Sequence, residues 1–258
     1  MSTHYTTEIA SAEIPSDNPV HQRLRYAYVA ATQFVQGDLL EIGCGDGRGV
    51  ELLHPLVKSY TAIDKNDLLI AQLGKKYPDI KFISTFVPPL ADLPDNSFDT
   101  VVTFQVIEHI GPDKEFVKEI HRVLRPGGKA LISTVNRKFS LARNPWHVRE
   151  YYADTLKQLL AKHFTKITTK GVHGNADVMA YYEQNKKEVQ KITRFDIFNM
   201  QWWLPAAILR VPYDYLNRRN RKNLMVDNDS LVAKITTDDF FLTDTPADSL
   251  DLYFIVEK

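Results

Sequence analysis

Leu39-Leu40-Glu41-Ile42-Gly43-Cys44-Gly45-Asp46-Gly47 is a short apolar run followed by three alternating glycines. The run has the length of a strand, and the glycines free the backbone for positive φ angles and for close approach by a ligand. Arg48 to Val57 then reads as a helix despite Pro55, so the segment is strand, loop and helix. In an open α/β sheet the loop leaving the first strand is the usual ligand cradle.

The same rhythm extends outward in both directions. Upstream, Asn18-Pro19 is a capping residue followed by proline at a first helical position, and Val20, Leu24, Ala27, Tyr28, Ala31 and Phe34 recur at helical spacing. Downstream come strand Ser59 to Asp64, helix Asn66 to Lys76, strand Ile80 to Val87 and strand Asp99 to Val106. Helix Asp113 to Leu124, a Pro126-Gly127-Gly128 turn and strand Lys129 to Val135 follow. Repeated βα units imply a parallel sheet with helices on both faces. After Asn136 the rhythm breaks through Arg149, then resumes with helix Ala153 to Phe164 and strand Lys166 to Val172. The expected organisation is one domain over 1–258. It has an N-terminal helical segment (1–36), a cofactor-binding core (37–172), a mostly helical insertion or lid (174–248) and a terminal strand (249–258).

Composition narrows the function. Hydrophobic residues make up 44% and charged residues 25%, as in ordinary globular chains. Lys plus Arg (32) balances Asp plus Glu (32), so no net field draws the chain to a polyanion, and no nucleic-acid partner is expected. The lone cysteine, Cys44, excludes an intrachain disulfide and a cysteine-based zinc cluster, and no metal site is expected. Met1 to Asn18 carries Glu8 and Glu13 without the basic start and apolar core of a signal peptide, and Trp202 to Leu209 is too short to cross a bilayer. A cytoplasmic protein is the expectation.

The glycine loop lacks the third glycine of a dinucleotide fingerprint: three residues after Gly45 stands Arg48, and three after Gly47 stands Val50. It also lacks the Gly-Lys-Ser/Thr of a P-loop. Glu41 places a carboxylate before the glycines, suited to brace the loop or meet the ammonium of an amino-acid ligand rather than a pyrophosphate. Asp64, closing the second strand, stands where a carboxylate accepts hydrogen bonds from ribose hydroxyls, with a solvated strand-end Asp as the plain alternative. The charge pattern favours an adenosyl amino acid over NAD.

With this loop and Asp64, three further stretches resemble the UbiE-like (type 11) branch of class I methyltransferases. They are Leu93-Pro94-Asp95-Asn96-Ser97-Phe98-Asp99, Val106-Ile107-Glu108-His109-Ile110 and Arg122-Val123-Leu124-Arg125-Pro126-Gly127-Gly128. The resemblance spans roughly residues 20 to 172. It implies a Rossmann-like α/β fold with a seven-stranded, mostly parallel sheet ordered 3-2-1-4-5-7-6, strand 7 antiparallel, and S-adenosyl-L-methionine as methyl donor. Carried over by position, it implies a cofactor site of Glu41, Gly43, Cys44, Gly45, Gly47, Asp64, Phe86 and Gln105, with Asp99 as a structural turn residue. The adenine contact falls on Thr85, Phe86 or Val87, where many relatives carry an aspartate, and Pro88-Pro89 replaces the usual acidic loop.

Methyl transfer from a sulfonium needs alignment and desolvation, and a base only for some acceptors. His109, after strand 4, and His147, in Asn144-Pro145-Trp146-His147-Val148-Arg149-Glu150-Tyr151, are the candidates for catalysis. The alternative role is cofactor-loop support for His109 and a loop anchor for His147. Trp146, His147 and the Trp202-Trp203 segment are expected to form the wall and lid of an acceptor pocket, with ordinary core as the alternative for the tryptophans. Arg210, Arg218, Arg219, Arg221 and Lys222 follow an apolar run, so 202–222 offers peripheral membrane contact or, preferably, an amphipathic lid. The expected function is methylation of a small molecule or a glycan or lipid precursor. A protein or RNA methyltransferase and a non-enzymatic cofactor-binding module are the rivals, and the methylated atom (O, N or C) stays open.

Overall fold

The computed structural model describes residue 10 and residues 13–227 and 229–258. Residues 1–9, 11–12 and 228, with Glu8 of the opening segment, lie outside the described residues. The elements alternate as the sequence expects: α1 (Asn18–Ala31), β1 (Asp38–Ile42), α2 (Val50–Leu53), β2 (Ser59–Asp64), α3 (Asp67–Lys76), β3 (Lys81–Ser84), β4 (Phe98–Phe104), α4 (Asp113–Val123), β5 (Leu124–Val135), α5 (Ala153–Leu160) and β6 (Lys166–Gly174). Then come α6 (Ala176–Thr193), α7 (Met200–Trp203), α8 (Ala206–Asp227), α9 (Asp229–Lys234), β7 (Phe240–Thr243) and β8 (Asp251–Glu257).

Among the described residues eight strands form one sheet, in the order β3-β2-β1-β4-β5-β8-β6-β7. Strands β1 to β5 pair in parallel, and β8 runs antiparallel between β5 and β6. The expected seven strands are therefore corrected to eight. The addition is β7, which pairs antiparallel with Gly171–Gly174 of β6 at the sheet edge. It falls inside the stretch read as helical insertion, and four residues are too few for alternation to show above a helical background.

The alternation of side chains along β1 divides the core. Leu40 and Ile42 pack with Phe116, Ile120 and Leu156 on one face, while Leu39 packs with Tyr28, Val50 and Tyr253 on the other. Helix α4 buries Phe116, Val117, Ile120 and Val123, spacing that keeps one stripe on the sheet. Each such side chain contributes about 1.5–3 kcal/mol by leaving water. The motif arginines are structural: Arg122 donates to the Leu90 and Leu93 carbonyls and to Glu119, and Arg125 bridges Asp38 and Asp99. Asp99 also accepts from the Asp38 N–H at 2.8 Å; it is structural as expected, but it lies within β4 and not in a turn.

The insertion folds back over the carboxyl ends of β4 and β5. Arg218 and Arg221 of α8 reach Asp17, which is fully buried just before α1, at 2.8 and 2.9 Å. Arg143, in the loop after β5, donates to the carbonyls of Gln201 and Leu204 at 2.7 and 2.9 Å. Part of the arginine cluster therefore clamps the insertion onto the domain instead of facing solvent. No helix among the described residues is long and apolar enough to cross a membrane.

Candidate active site

The glycine loop is pinned to β2. The Gly43 and Cys44 N–H groups donate to the Ile63 carbonyl at 2.7 and 3.1 Å, and the Gly45 N–H donates to Asp64 Oδ2 at 2.8 Å. The other Asp64 oxygen accepts from the Asn66 N–H at 2.9 Å, just where Asn66 caps α3. The three glycines have different tasks. A Cβ on Gly43 would stand 2.3 Å from Val106 Cγ2, and one on Gly47 would stand 2.5 Å from Leu73 Cδ2, so both are glycine to let elements pack. Gly45, at φ 53°, has no atom within 4 Å of where its Cβ would be. That open strip beside Asp64 is room for a ligand lying along the backbone.

Glu41 lies beneath the loop, 1% exposed, and accepts from the Tyr60 hydroxyl at 2.5 Å. Burial raises its pKa, with the Tyr60 and Tyr28 hydroxyls working against the rise. It braces the strand from inside through one oxygen, and the other, Oε1, has no hydrogen-bond partner among the described residues. Cys44 is buried, and burial pushes its thiol well above the ordinary range. Phe86, past the end of β3, is 77% exposed, an unpartnered ring near the Asp64 strand end. Gln105 adopts φ 58°, a left-handed backbone uncommon outside glycine, and donates its N–H to the Ser133 carbonyl at 2.8 Å.

Gln105 also borders a cavity of about 480 Å³. Its walls are α1 (Val20, Leu24), α6 (Val178, Tyr181, Tyr182) and α8 (Leu209, Pro212, Tyr213, Leu216), with the loop after β5 closing one side. Most of that lining is apolar, and burial pushes the Tyr213 hydroxyl up to about 12. Gln105, Glu108, His109, Asn144, His147 and Glu150 supply one group of polar side chains, and Arg23, Asn185, Asn217, Asn220 and Arg221 add others from the helices.

His109 and His147 come together, their rings edge to face with centroids 4.9 Å apart. His109 Nδ1 lies 2.9 Å from the Trp146 carbonyl, which only accepts, so Nδ1 carries the proton and Nε2 is the basic nitrogen of the neutral ring. His147 Nδ1 donates in the same way to Glu150 Oε1 at 2.8 Å, and its Nε2 lies 2.8 Å from the Asn144 amide nitrogen. Glu150 is held further by Ser140 at 2.5 Å and Arg137 at 3.2 Å. Burial alone would raise its pKa, but hydrogen bonds from His147, Ser140 and Arg137 outweigh it and keep the carboxyl below its ordinary value. Glu108 is 1% exposed, and one of its oxygens accepts from Thr134 at 2.8 Å. The sequence singled out the two histidines but not the roles of Asn144, Glu150 and Glu108. Their signals were the three-residue spacing of Asn144, His147 and Glu150 and the adjacency of Glu108 to His109.

The tryptophan expectation is corrected. Trp202 and Trp203 are 47% and 63% exposed, and neither borders the cavity. Trp202 stacks on Arg137 and Trp203 donates to the Phe198 carbonyl, so the pair sits on the outside of the lid. Trp146 is also absent from the lining; it supports the site from behind, through its carbonyl to His109 and its ring N–H to Asp214 at 3.0 Å.

A curated protein of Mycolicibacterium smegmatis, a probable S-adenosylmethionine-dependent methyltransferase, is 34% identical over 230 residues, covering 86% of this chain and 81% of its own length. The chain belongs to the S-adenosylmethionine-dependent methyltransferases. Residues 40–132 match the family described as Methyltransferase domain. This methyltransferase also resembles a ubiquinone biosynthesis O-methyltransferase of Paracidovorax citrulli, 32% identical over 127 residues, 46% of this chain and 53% of that one. The fold is shared with a SAM-dependent methyltransferase of Thermotoga maritima, at a TM-score of 0.57 with 14% identity over 93% of this chain and 91% of that chain. The enzyme uses S-adenosyl-L-methionine, and the open strip at Gly45 beside a strand-end carboxylate fits an adenosyl amino acid.

Proposed function

We propose that this methyltransferase transfers a methyl group to a hydroxyl of a largely apolar small molecule, or of a glycan or lipid precursor, bound in the cavity beside Gln105. The cavity of about 480 Å³ beside Gln105, with a mainly apolar lining and two histidines among its polar groups, carries this reading. The likeness to the Paracidovorax ubiquinone biosynthesis O-methyltransferase supports an oxygen acceptor. Cofactor binding falls to Gly43, Gly45 and Gly47 with Cys44, to Asp64 at the ribose, to Phe86 at the adenine and to Gln105 at the junction with the cavity, Glu41 bracing the loop from below. Bound S-adenosylmethionine supplies an electrophilic methyl on a sulfonium whose departure leaves a neutral thioether. The protein's own part is to hold the acceptor in line, exclude water through α6 and α8, and activate its hydroxyl at His109 and His147.

A broad basic groove for protein or RNA finds little support, because Arg218 and Arg221 are committed to Asp17 and Arg210 lies over the Trp146 ring at 4.4 Å. The outer lid does carry exposed Phe195, Ile197, Phe198, Trp203, Ile208 and Val211, an apolar surface suited to resting on the lipid layer that would hold a greasy precursor. Incubation with methyl-labelled S-adenosylmethionine and a lipid extract, followed by mass spectrometry, tests the reading. A labelled apolar O-methyl ether supports it. Label appearing only in RNA or protein when those are offered in parallel overturns it.

A further inference from the structure

The helical wall of the cavity carries a polar band of its own. Asn217, Asn220 and Arg221 stand at i, i+3 and i+4 on α8, and Tyr181 and Asn185 at i and i+4 on α6, so each set shares one face of its helix. The two faces meet where Asn220 Nδ2 donates to Asn185 Oδ1 at 2.7 Å, and all five residues line the cavity. Leu209, Pro212 and Leu216 occupy the earlier turns of the same α8 face, so the band follows an apolar run. Tyr181 and Asn220 are buried, and buried polar groups are ordinarily hydrogen-bonded. Among the described residues the Asn217 amide and the Tyr181 hydroxyl nevertheless have no partner, and Arg221 uses a single nitrogen, on Asp17 at 2.9 Å.

The charge that faces the cavity along this band is positive. Asp17, shared by Arg218 and Arg221, is fully buried and does not line the space; Asp251, 3.2 Å from Arg23, is buried and does not line it either. Both carboxylates therefore stand behind the guanidiniums that border the cavity. The Tyr181 hydroxyl registers the same field: burial raises its pKa, and Arg221 and Arg23 pull it back down. Glu150 belongs to another stretch of wall. Tyr213, whose hydroxyl feels its charge, precedes Arg221 by eight residues, about 12 Å of helix.

We propose that Arg221, Asn217, Asn185 and Tyr181 bind a phosphate monoester carried by the methyl acceptor, two turns of α8 away from the His147 and Glu150 pair. The guanidinium supplies charge-assisted hydrogen bonds, and the two amides and the phenol supply neutral donors. That many donors match the three terminal oxygens of a phosphate more fully than the two of a carboxylate. A neutral polyol would leave Arg221 with no opposite charge on the cavity side. The apolar turns of α8 between the two polar groups then hold the body of the ligand. A phosphate here deepens the reading of a lipid or glycan precursor as acceptor and rests on that reading, while its binding is independent of which atom takes the methyl group.

The test uses full-length protein saturated with S-adenosylhomocysteine, so that the cofactor's own carboxylate is already in place. It is titrated by calorimetry with octyl phosphate, octanol and inorganic phosphate, below the concentration at which the amphiphile forms micelles. The expected result is one octyl phosphate per chain, bound about 10–100-fold more tightly than octanol and more weakly as salt is raised. Inorganic phosphate, which has no apolar body, should bind far more weakly. Arg221→Gln and Asn217→Leu should each lower octyl phosphate affinity by about tenfold or more, with octanol and S-adenosylhomocysteine binding unchanged. Arg221→Gln also takes a partner from buried Asp17; if it fails to fold, Asn217→Leu, which breaks no hydrogen bond among the described residues, decides alone. Octanol bound as tightly as octyl phosphate, or wild-type octyl phosphate affinity in the folded variants, overturns the site. Inorganic phosphate bound as tightly as octyl phosphate shows a free-anion site and overturns the link to the acceptor. Octyl phosphate binding as expected, beside an acceptor methylated on nitrogen or carbon, supports the phosphate site and sinks the oxygen-acceptor reading instead.

Discussion

The two halves of this molecule are built by opposite means. Around Gly43 to Gly47, function depends on the backbone: positive φ angles, N–H groups on the Ile63 carbonyl and Asp64, and two glycines without room for a methyl group. Around the cavity, function depends on side chains carried by long helices and by the loop after β5, held through distant partners such as Arg143 to Leu204 and Arg221 to Asp17. A backbone site is local in sequence and tolerates little change. A side-chain site is assembled across more than a hundred residues and can be retuned without disturbing the other half.

The sharpest way to break this contrast is at Gly45. Valine there must hold φ 53° and fill the open strip, so S-adenosylhomocysteine binding should disappear from calorimetry while the fold remains. Gly45→Ala meets no neighbouring atom, and only the left-handed backbone penalises it, by about 1–2 kcal/mol. Equal losses for the two would mean that backbone strain alone accounts for the effect and that the strip holds no ligand.

In the acceptor half, the next largest effect is expected at Asp17. Asp17→Asn strands Arg218 and Arg221 against a buried neutral amide, a change of about 3–5 kcal/mol in the docking of α8. Hydrogen exchange should show α8 opening far more often, with S-adenosylhomocysteine affinity retained. Loss of cofactor binding in this variant would show that the halves are coupled.

The seam between them carries a pH signature. Asp251 pairs with Val135 across β8 and β5, and burial pushes its carboxyl up to about 6 from 3.8 despite Arg23 at 3.2 Å. With the folded value above the unfolded one, its stabilising contribution is complete below about pH 3.8 and is lost as pH rises through about 6. The ceiling is about 3 kcal/mol. Wild type should therefore lose stability relative to Asp251→Asn as pH rises from 4 to 6, read from paired denaturant melts. A constant difference across that range would sink the assignment.

Asp64→Ala is expected to weaken S-adenosylhomocysteine by about 1.5–3 kcal/mol, the range for a hydrogen bond to a charged group, in a calorimetric titration. Because Asp64 also anchors the Gly45 N–H, Asp64→Asn, which keeps an acceptor, should fall between wild type and alanine. An alanine variant with wild-type affinity would move the ribose elsewhere.

The same division explains what the sequence made legible. The glycine loop, Asp64 and the alternation from Ser59 to Val135 are local patterns, and each lands on the element expected of it within a few residues, except that β5 starts at Leu124 and runs through the expected Pro126-Gly127-Gly128 turn, with a register shift against β4. Strand β7 was hidden because its pairing with β6 lies across the whole insertion, and nothing inside Phe240–Thr243 announces it. His109 and His147 could be chosen singly as imidazoles in loops at strand ends. Their meeting with Glu108 and Glu150 depends on how the loop after β5 folds back, which neither period nor spacing encodes. The tryptophans misled for a related reason: a large apolar ring on a helix says that it seeks an apolar neighbour, not which side of the helix provides one.

The smallest effect, and the one that tests that last point, is expected at Trp203. A buried tryptophan truncated to alanine costs about 3–5 kcal/mol, whereas surface substitutions stay within about 0.5 kcal/mol. At 63% exposure with its ring N–H on the Phe198 carbonyl, Trp203 belongs to the second class. Trp203→Ala should therefore leave the melting temperature and S-adenosylhomocysteine affinity close to wild type. Its consequence should appear only on a lipid surface, as reduced sedimentation with phospholipid vesicles, because the ring adds to the exposed patch of Phe195, Ile197 and Phe198 without supporting the cavity. A melt lowered to the extent of a core truncation would return Trp203 to the interior. Unchanged melting with unchanged vesicle binding would leave the outer face of the lid with no part in reaching the acceptor.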